Sequence, residues 1–123
     1  MIKSIATAAV YVSDQKQAEA FWLQKVEFEV RAKHDMGNGA YWVEVSPPGA
    51  QSRLVLYPRS LMKDWQERKV SIVFECRDLD TTYQRLKELG VNVGPAPQLM
   101  SWGKYATFQD PDGNRLMLIQ MGR

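Results

Sequence analysis

Few side chains in this chain combine useful chemistry with an interior setting. Glu75 sits between Phe74 and Cys76 in an apolar run, so strand alternation turns it away from the side its neighbours bury. A carboxylate partly removed from water there has its charged form disfavoured and could serve as a general base. The competing reading pairs Glu75 with Arg53 or Arg115, or lets it reach solvent. His34 is the only histidine, the side chain that most readily exchanges a proton near neutral pH. It precedes the turn Met36-Gly37-Asn38-Gly39, which reads as a surface hairpin; alternatively that hairpin covers a ligand and His34 reaches it. A metal site assembled from His34, Glu44 and Glu75 is a third option. Cys76 alternates onto the buried side, where thiols are inert. Neither a Gly-rich phosphate loop nor a Gly-x-Ser-x-Gly elbow occurs.

These residues need a scaffold, and the hydrophobic pattern supplies one twice. Ile5–Val12 alternates as a strand; Asp14 then caps a helix over Gln15–Lys25, whose Ala18, Phe21 and Trp22 form one apolar stripe. Strands follow at Phe28–Lys33, Ala40–Ser46 and Ser52–Tyr57. A polar connector, residues 59–69, carries room for one helical turn. The plan then repeats: a strand over Val70–Cys76, a helix over Leu79–Leu89 capped by Asp78 and stopped by Gly90, and a short strand over Val91–Gly94. Strands over Lys104–Gln109 and Arg115–Gln120 close the chain, joined by Asp110-Pro111-Asp112-Gly113-Asn114. Laying Asp14 over Asp78 places Thr7 on Ser71, Val10 on Phe74 and Tyr11 on Glu75. The expected architecture is α+β: two tandem βαβββ modules, residues 1–58 and 70–123 of one domain, forming a curled mixed sheet around a cleft with helices outside.

Alternation also assigns a lining to that cleft. If Val10, Val12, Phe74, Leu116 and Leu118 face the helices, the opposite faces carry Thr7, Ala9, Tyr11, Arg53, Val55 and Tyr57 in the first module. In the second they carry Ser71, Val73, Glu75, Arg115, Met117 and Ile119. Trp42 and Glu44 stand at the rim. Trp102, beside Gly103 in a Pro-rich loop, either stacks on a planar ligand or fills a satellite cluster or dimer contact. Such a wall of aromatic, small and a few polar groups suits a small molecule.

Composition removes several other functions. Sixteen Lys and Arg against 14 Asp and Glu leave a net charge of +2, too little and too scattered for a nucleic-acid footprint. One cysteine excludes an internal disulfide and a cysteine-cluster zinc site. The apolar stretch Ile5–Val12 is far short of the ~20 residues that cross a bilayer. Met1-Ile2-Lys3 opens no signal-peptide core, so a cytoplasmic domain is expected.

Three passages together resemble the vicinal oxygen chelate superfamily, also called glyoxalase/bleomycin resistance/extradiol dioxygenase proteins. They are Val10–Asp14 with Ala20-Phe21-Trp22, Val73–Asp80 followed by Leu86–Gly90, and Phe108–Leu118 with its Asp-Pro-Asp-Gly-Asn turn. The resemblance implies two curled modules and, in metal-using relatives, four ligands for a divalent ion. Those positions fall on Thr7, Val55 (or beside it), Ser71 and Met117. Hydroxyls, an isopropyl group and a thioether are poor partners for Zn²⁺, Ni²⁺, Fe²⁺ or Mn²⁺, so no metal cofactor is expected.

Three functions follow from the resemblance. One is a metal-free module binding a small planar or polar molecule, with Thr7, Tyr11, His34, Trp42, Arg53, Tyr57, Ser71, Trp102, Arg115 and Met117 as candidate ligand contacts. The second is a lyase- or isomerase-type enzyme with Glu75 as base and Tyr11 or Tyr57 polarising an oxygen. The third is a metal-dependent glyoxalase or dioxygenase using other ligands. Relatives of this length commonly form homodimers, and exposed edge strands would allow one here.

Overall fold

A computed structural model of the chain describes every residue except Lys3, in the opening tripeptide, and Arg123. The chain separates into two compact units, Met1–Lys69 and Val70–Arg123.

In the first unit β1 (Thr7–Val12) leads to α1 (Gln15–Ala20), which runs on into a π-helical turn at Phe21–Lys25. β2 (Glu29–Gly37), β3 (Ala40–Ser46) and β4 (Arg53–Pro58) complete a sheet of order β1-β4-β3-β2. β2, β3 and β4 form the expected antiparallel meander, and β1 lies parallel to β4. The Asp14 side chain accepts the Gln17 amide at 3.1 Å, the capping bond that starts the helix. Val10, Val12, Val43, Val45, Leu54 and Leu56 are buried on one face of the sheet, and Ala18, Phe21 and Trp22 on the helix. The Gln15 side chain staples the two layers: its amide donates to the Tyr41 and Leu56 carbonyls at 2.6 and 2.8 Å and accepts the Tyr41 amide at 3.0 Å.

Two strand boundaries of the first unit differ from the sequence reading by more than one residue. β1 begins at Thr7, not Ile5, because its partner β4 begins at Arg53, opposite Thr7; Ile5 is exposed. β2 runs past Lys33 to Gly37, since His34 and Asp35 find partners in Trp42 and Tyr41. Pairing there outweighs the poor strand propensity of Lys33-His34-Asp35. Asn38 and Gly39, at φ 55° and 77°, make the tight hairpin turn that permits this register. His34 is therefore a strand residue. The connector holds two 3₁₀ turns, Arg59–Leu61 and Trp65–Glu67, instead of one helical turn.

The second unit contains β5 (Val73–Glu75), α2 (Leu79–Glu88), β6 (Asn92–Val93), β7 (Gln98–Met100), β8 (Gly103–Gln109) and β9 (Arg115–Met121). Its order, β5-β9-β8-β6 with β7 also on β8, repeats the first: a first strand parallel to the last, then an antiparallel series. The Asp78 carboxylate accepts the Thr81 amide at 3.2 Å, and Gly90 ends the helix at φ 82°. Leu79, Tyr83 and Leu86 are buried from α2, whereas Leu89, at the frayed end, is not. They meet Ala106, Phe108, Leu116 and Leu118 as the buried side chains of β8 and β9. Here a staple comes from the sheet: Gln120 Oε1 accepts the Leu79 amide at 2.7 Å.

β5 is shorter than the expected Val70–Cys76, because it is an edge strand held only by β9. Ser71 consequently precedes the strand. β7 lies in the segment read as a Pro-rich loop; three residues are too short for alternation to reveal, and pairing with Gly103–Tyr105 makes them a strand. The fold is thus α+β, with two tandem units of the β-α-β-β-β plan, the second carrying one additional strand. Among the described residues no helix is long and apolar enough to cross a membrane.

Candidate functional site

The face of the first sheet opposite α1 collects every candidate expected from that half. Register puts Thr7 beside Arg53, Ala9 beside Val55 and Tyr11 beside Tyr57. Glu44 stands opposite Val55 and Trp42 opposite His34, which completes the row across β3 and β2. Glu44 is the hub. Its Oε2 accepts Trp42 Nε1 at 2.7 Å and its Oε1 accepts Arg53 Nη1 at 2.9 Å. The Glu44 side chain is only 14% exposed, against 35% for Arg53. Donation from Trp42 first, then from Arg53, holds its carboxyl below the usual range, with the charges of Arg53 and His34 adding to the effect. Tyr57 meets Trp42 edge-on, ring centres 6.1 Å apart, and meets Tyr11 likewise at 6.1 Å. Arg68 Nε donates to Asp64 Oδ1 at 3.3 Å.

Within the first unit Arg53 is paired with Glu44. Sequence reading placed Glu44 at a rim and missed its central role. The available signal was the two-residue spacing from Trp42, which puts both side chains on one face of β3.

In the second unit Glu75 lies on an edge strand and is exposed, as are Val73 and Ser71. The partly desolvated setting expected for Glu75 is absent, because β5 has a neighbour on one side only. Phe74 is half-buried, with its ring stacked on Phe108 at 6.4 Å. Met117 pairs with Val73 on one side and Thr107 on the other, and its amide donates to the Ile72 carbonyl at 3.1 Å. Arg115 is exposed at the start of β9, opposite Gln109. Trp102 is 38% exposed at the β7–β8 turn, where its carbonyl accepts the Gly122 amide at 2.8 Å. Cys76 is half-buried and not enclosed as expected; burial still pushes its thiol up, toward the unreactive protonated form.

The four positions that the resemblance implies for a metal ion, Thr7, Val55, Ser71 and Met117, carry no imidazole, carboxylate or thiolate. Thr7 and Val55 share the first unit's face, with Val55 fully buried. Ser71 and Met117 offer a hydroxyl and a thioether in the second. Among the described residues no three His, Cys, Asp or Glu side chains are grouped to hold a cation. Both Glu44 oxygens already serve Trp42 and Arg53.

A family model for the Glyoxalase/Bleomycin resistance protein/Dioxygenase superfamily matches residues 4–118, and the chain belongs to that superfamily. It is 49% identical over 118 residues to the uncharacterized protein YetH of Bacillus subtilis (strain 168), covering 96% of this chain and 98% of that one. Among solved structures it resembles a member of the same superfamily from Sphaerobacter thermophilus DSM 20745, at TM-score 0.88 and 32% identity over 97% of this chain and 98% of the other. It also resembles TnmS3, an antibiotic binding protein from Streptomyces sp. CB03234, at TM-score 0.83 and 32% identity, with 98% of each chain covered.

Proposed function

We propose that this protein binds a small planar organic molecule without a metal ion, against the face of its first sheet opposite α1. The observation that carries the reading is the Tyr11–Tyr57–Trp42–Glu44–Arg53 array. Its one carboxylate is matched by one guanidinium, so the face carries ring edges and fixed polar groups and little net charge. That composition favours stacking on a planar ligand over capture of a bare cation. Likeness to an antibiotic binding protein at 32% identity supports a small-molecule ligand. The donor chemistry of Thr7, Val55, Ser71 and Met117 supports a metal-free mode.

The test is titration of planar aromatic metabolites and antibiotics with tryptophan emission as readout. A bound compound should quench emission, and Trp42→Phe should remove most of the quenching and weaken binding about tenfold. Metal analysis of protein purified without added metal should find no stoichiometric divalent ion, and chelator should leave binding unchanged. Quenching that persists undiminished in Trp42→Phe, or one tightly held ion per chain, would sink the reading.

A further inference from the structure

The face of the first sheet opposite α1 has a floor of two small side chains. Ala9 is half-buried and Val55 is buried, and register makes them neighbours on β1 and β4. Two residues along β4 in one direction stands Tyr57, with Trp42 edge-on to it at 6.1 Å. Two residues in the other direction stands Arg53, in register with Thr7. Alternation keeps these side chains on one face, and a rise of about 3.3 Å per residue sets Arg53 and Tyr57 roughly 13 Å apart along the backbone. A two-ring aromatic laid on Ala9 and Val55 therefore meets ring edges at one end and a guanidinium at the other.

Arg53 is held in place there. Its Nη1 donates to Glu44 Oε1 at 2.9 Å, and Glu44 is itself fixed by Trp42 Nε1 at 2.7 Å. That bond uses one of the five guanidinium N–H groups, so the planar fork keeps donors for a ligand. Thr7 adds a hydroxyl beside it. Arg31 is differently engaged: its Nη1 donates to Ser46 Oγ at 3.0 Å and to the Ala50 carbonyl at 2.7 Å. Because Glu44 already balances the charge of Arg53, an ionic ligand gains little attraction there and still has to shed its hydration. What the fork accommodates is an uncharged acceptor lying in its plane.

We propose that Arg53 is the specificity-determining residue of this face, and that the ligand is an aromatic compound whose ring-conjugated, neutral carbonyl is turned toward Arg53 and Thr7. The inference rests on the planar-ligand reading above and names the polar group that ligand carries.

Three compounds with one ring system test it: 2-acetylnaphthalene, its isostere 2-isopropenylnaphthalene, which lacks the acceptor, and 2-naphthoate. Each is titrated into the full chain, with affinity read by calorimetry and stacking by tryptophan emission. The ketone should bind about tenfold tighter than the alkene and no more weakly than the carboxylate. Arg53→Gln should bring the ketone-to-alkene ratio close to one. Arg53→Lys, which keeps a cation beside Glu44 and so guards against a folding defect, should lower the ratio part of the way. Glu44→Gln leaves the guanidinium unbalanced and should raise the affinity for naphthoate relative to the ketone about tenfold. Equal binding of ketone and alkene, a ratio unaltered in both Arg53 variants, or a carboxylate that binds tightest to the unmodified protein overturns the inference; if emission is still quenched, the planar-ligand reading stands. A ketone preference without quenching upholds selection by Arg53 and overturns stacking. No binding of any of the three overturns both.

Discussion

Glu44 shows how a single carboxylate organises a surface when its partners are fixed by strand register. Its ionised form is favoured in the folded chain and not in the unfolded one, so it contributes stability above its unfolded pKa that is lost as pH falls through the lowered folded value. Glu44→Gln should cost about 1 kcal/mol at pH 7, by loss of charge on the bond to Arg53. In urea titrations the gap between the two proteins should close as pH drops below the ordinary carboxyl range; a gap that widens in acid would contradict this. Asp110 behaves oppositely. It is buried, and desolvation raises its carboxyl against the pull of hydrogen bonds from Asn114 and Asp112. The stability tied to that shift is present at low pH and lost as pH rises through the raised value. Asp110→Ala should destabilise by about 1–3 kcal/mol in the same assay, because the Asp112 and Asn114 amides and the Asn114 side chain lose their acceptor. Alternation made Tyr11, Tyr57 and Arg53 legible as face residues. It could not show that Arg53 would be claimed by Glu44, since that depends on which strands become neighbours.

Among the elements, the two helices and their aspartate caps were readable because capping chemistry and helical periodicity are local. The strands were less so. β5 shrank to an edge fragment, β2 lengthened along a partner, and β7 exists only because β8 offers it a ladder. Pairing is long-range information that a window of residues does not contain. Gln15 was invisible for the same reason: it reads as an ordinary first-turn residue, yet it bonds two strands. Gln15→Ala should therefore destabilise by about 1–3 kcal/mol, far more than an exposed helix substitution, while Lys16→Ala stays within about 0.5 kcal/mol. Equal midpoints for the two variants in a denaturant series would refute the staple.

At the scale of the molecule, the repeated plan was legible from the superposed caps and is present in both units. Each sheet ends in strands with one neighbour, and β2 carries an almost wholly exposed set of side chains along such an edge. We expect two such chains to associate through edges of this kind, giving a mass of two chains by light scattering and a melting temperature that rises with concentration. A single-chain mass at micromolar protein would count against it. The assignment to the superfamily was readable from motif order, whereas the close approach of Gly94 to Thr107, whose carbonyl accepts the Gly94 amide at 2.8 Å, was not, because only the paired sheet brings them together.

The glutamine clasps carry one last consequence. In the first unit the clasp is carried by the helix and grips the sheet; in the second it is carried by the sheet and grips the helix. The halves share a blueprint but not interchangeable parts. Transplanting α2 into the place of α1 would leave the Tyr41 and Leu56 carbonyls without their amide. The reciprocal graft would crowd Gln15 and Gln120 into one joint.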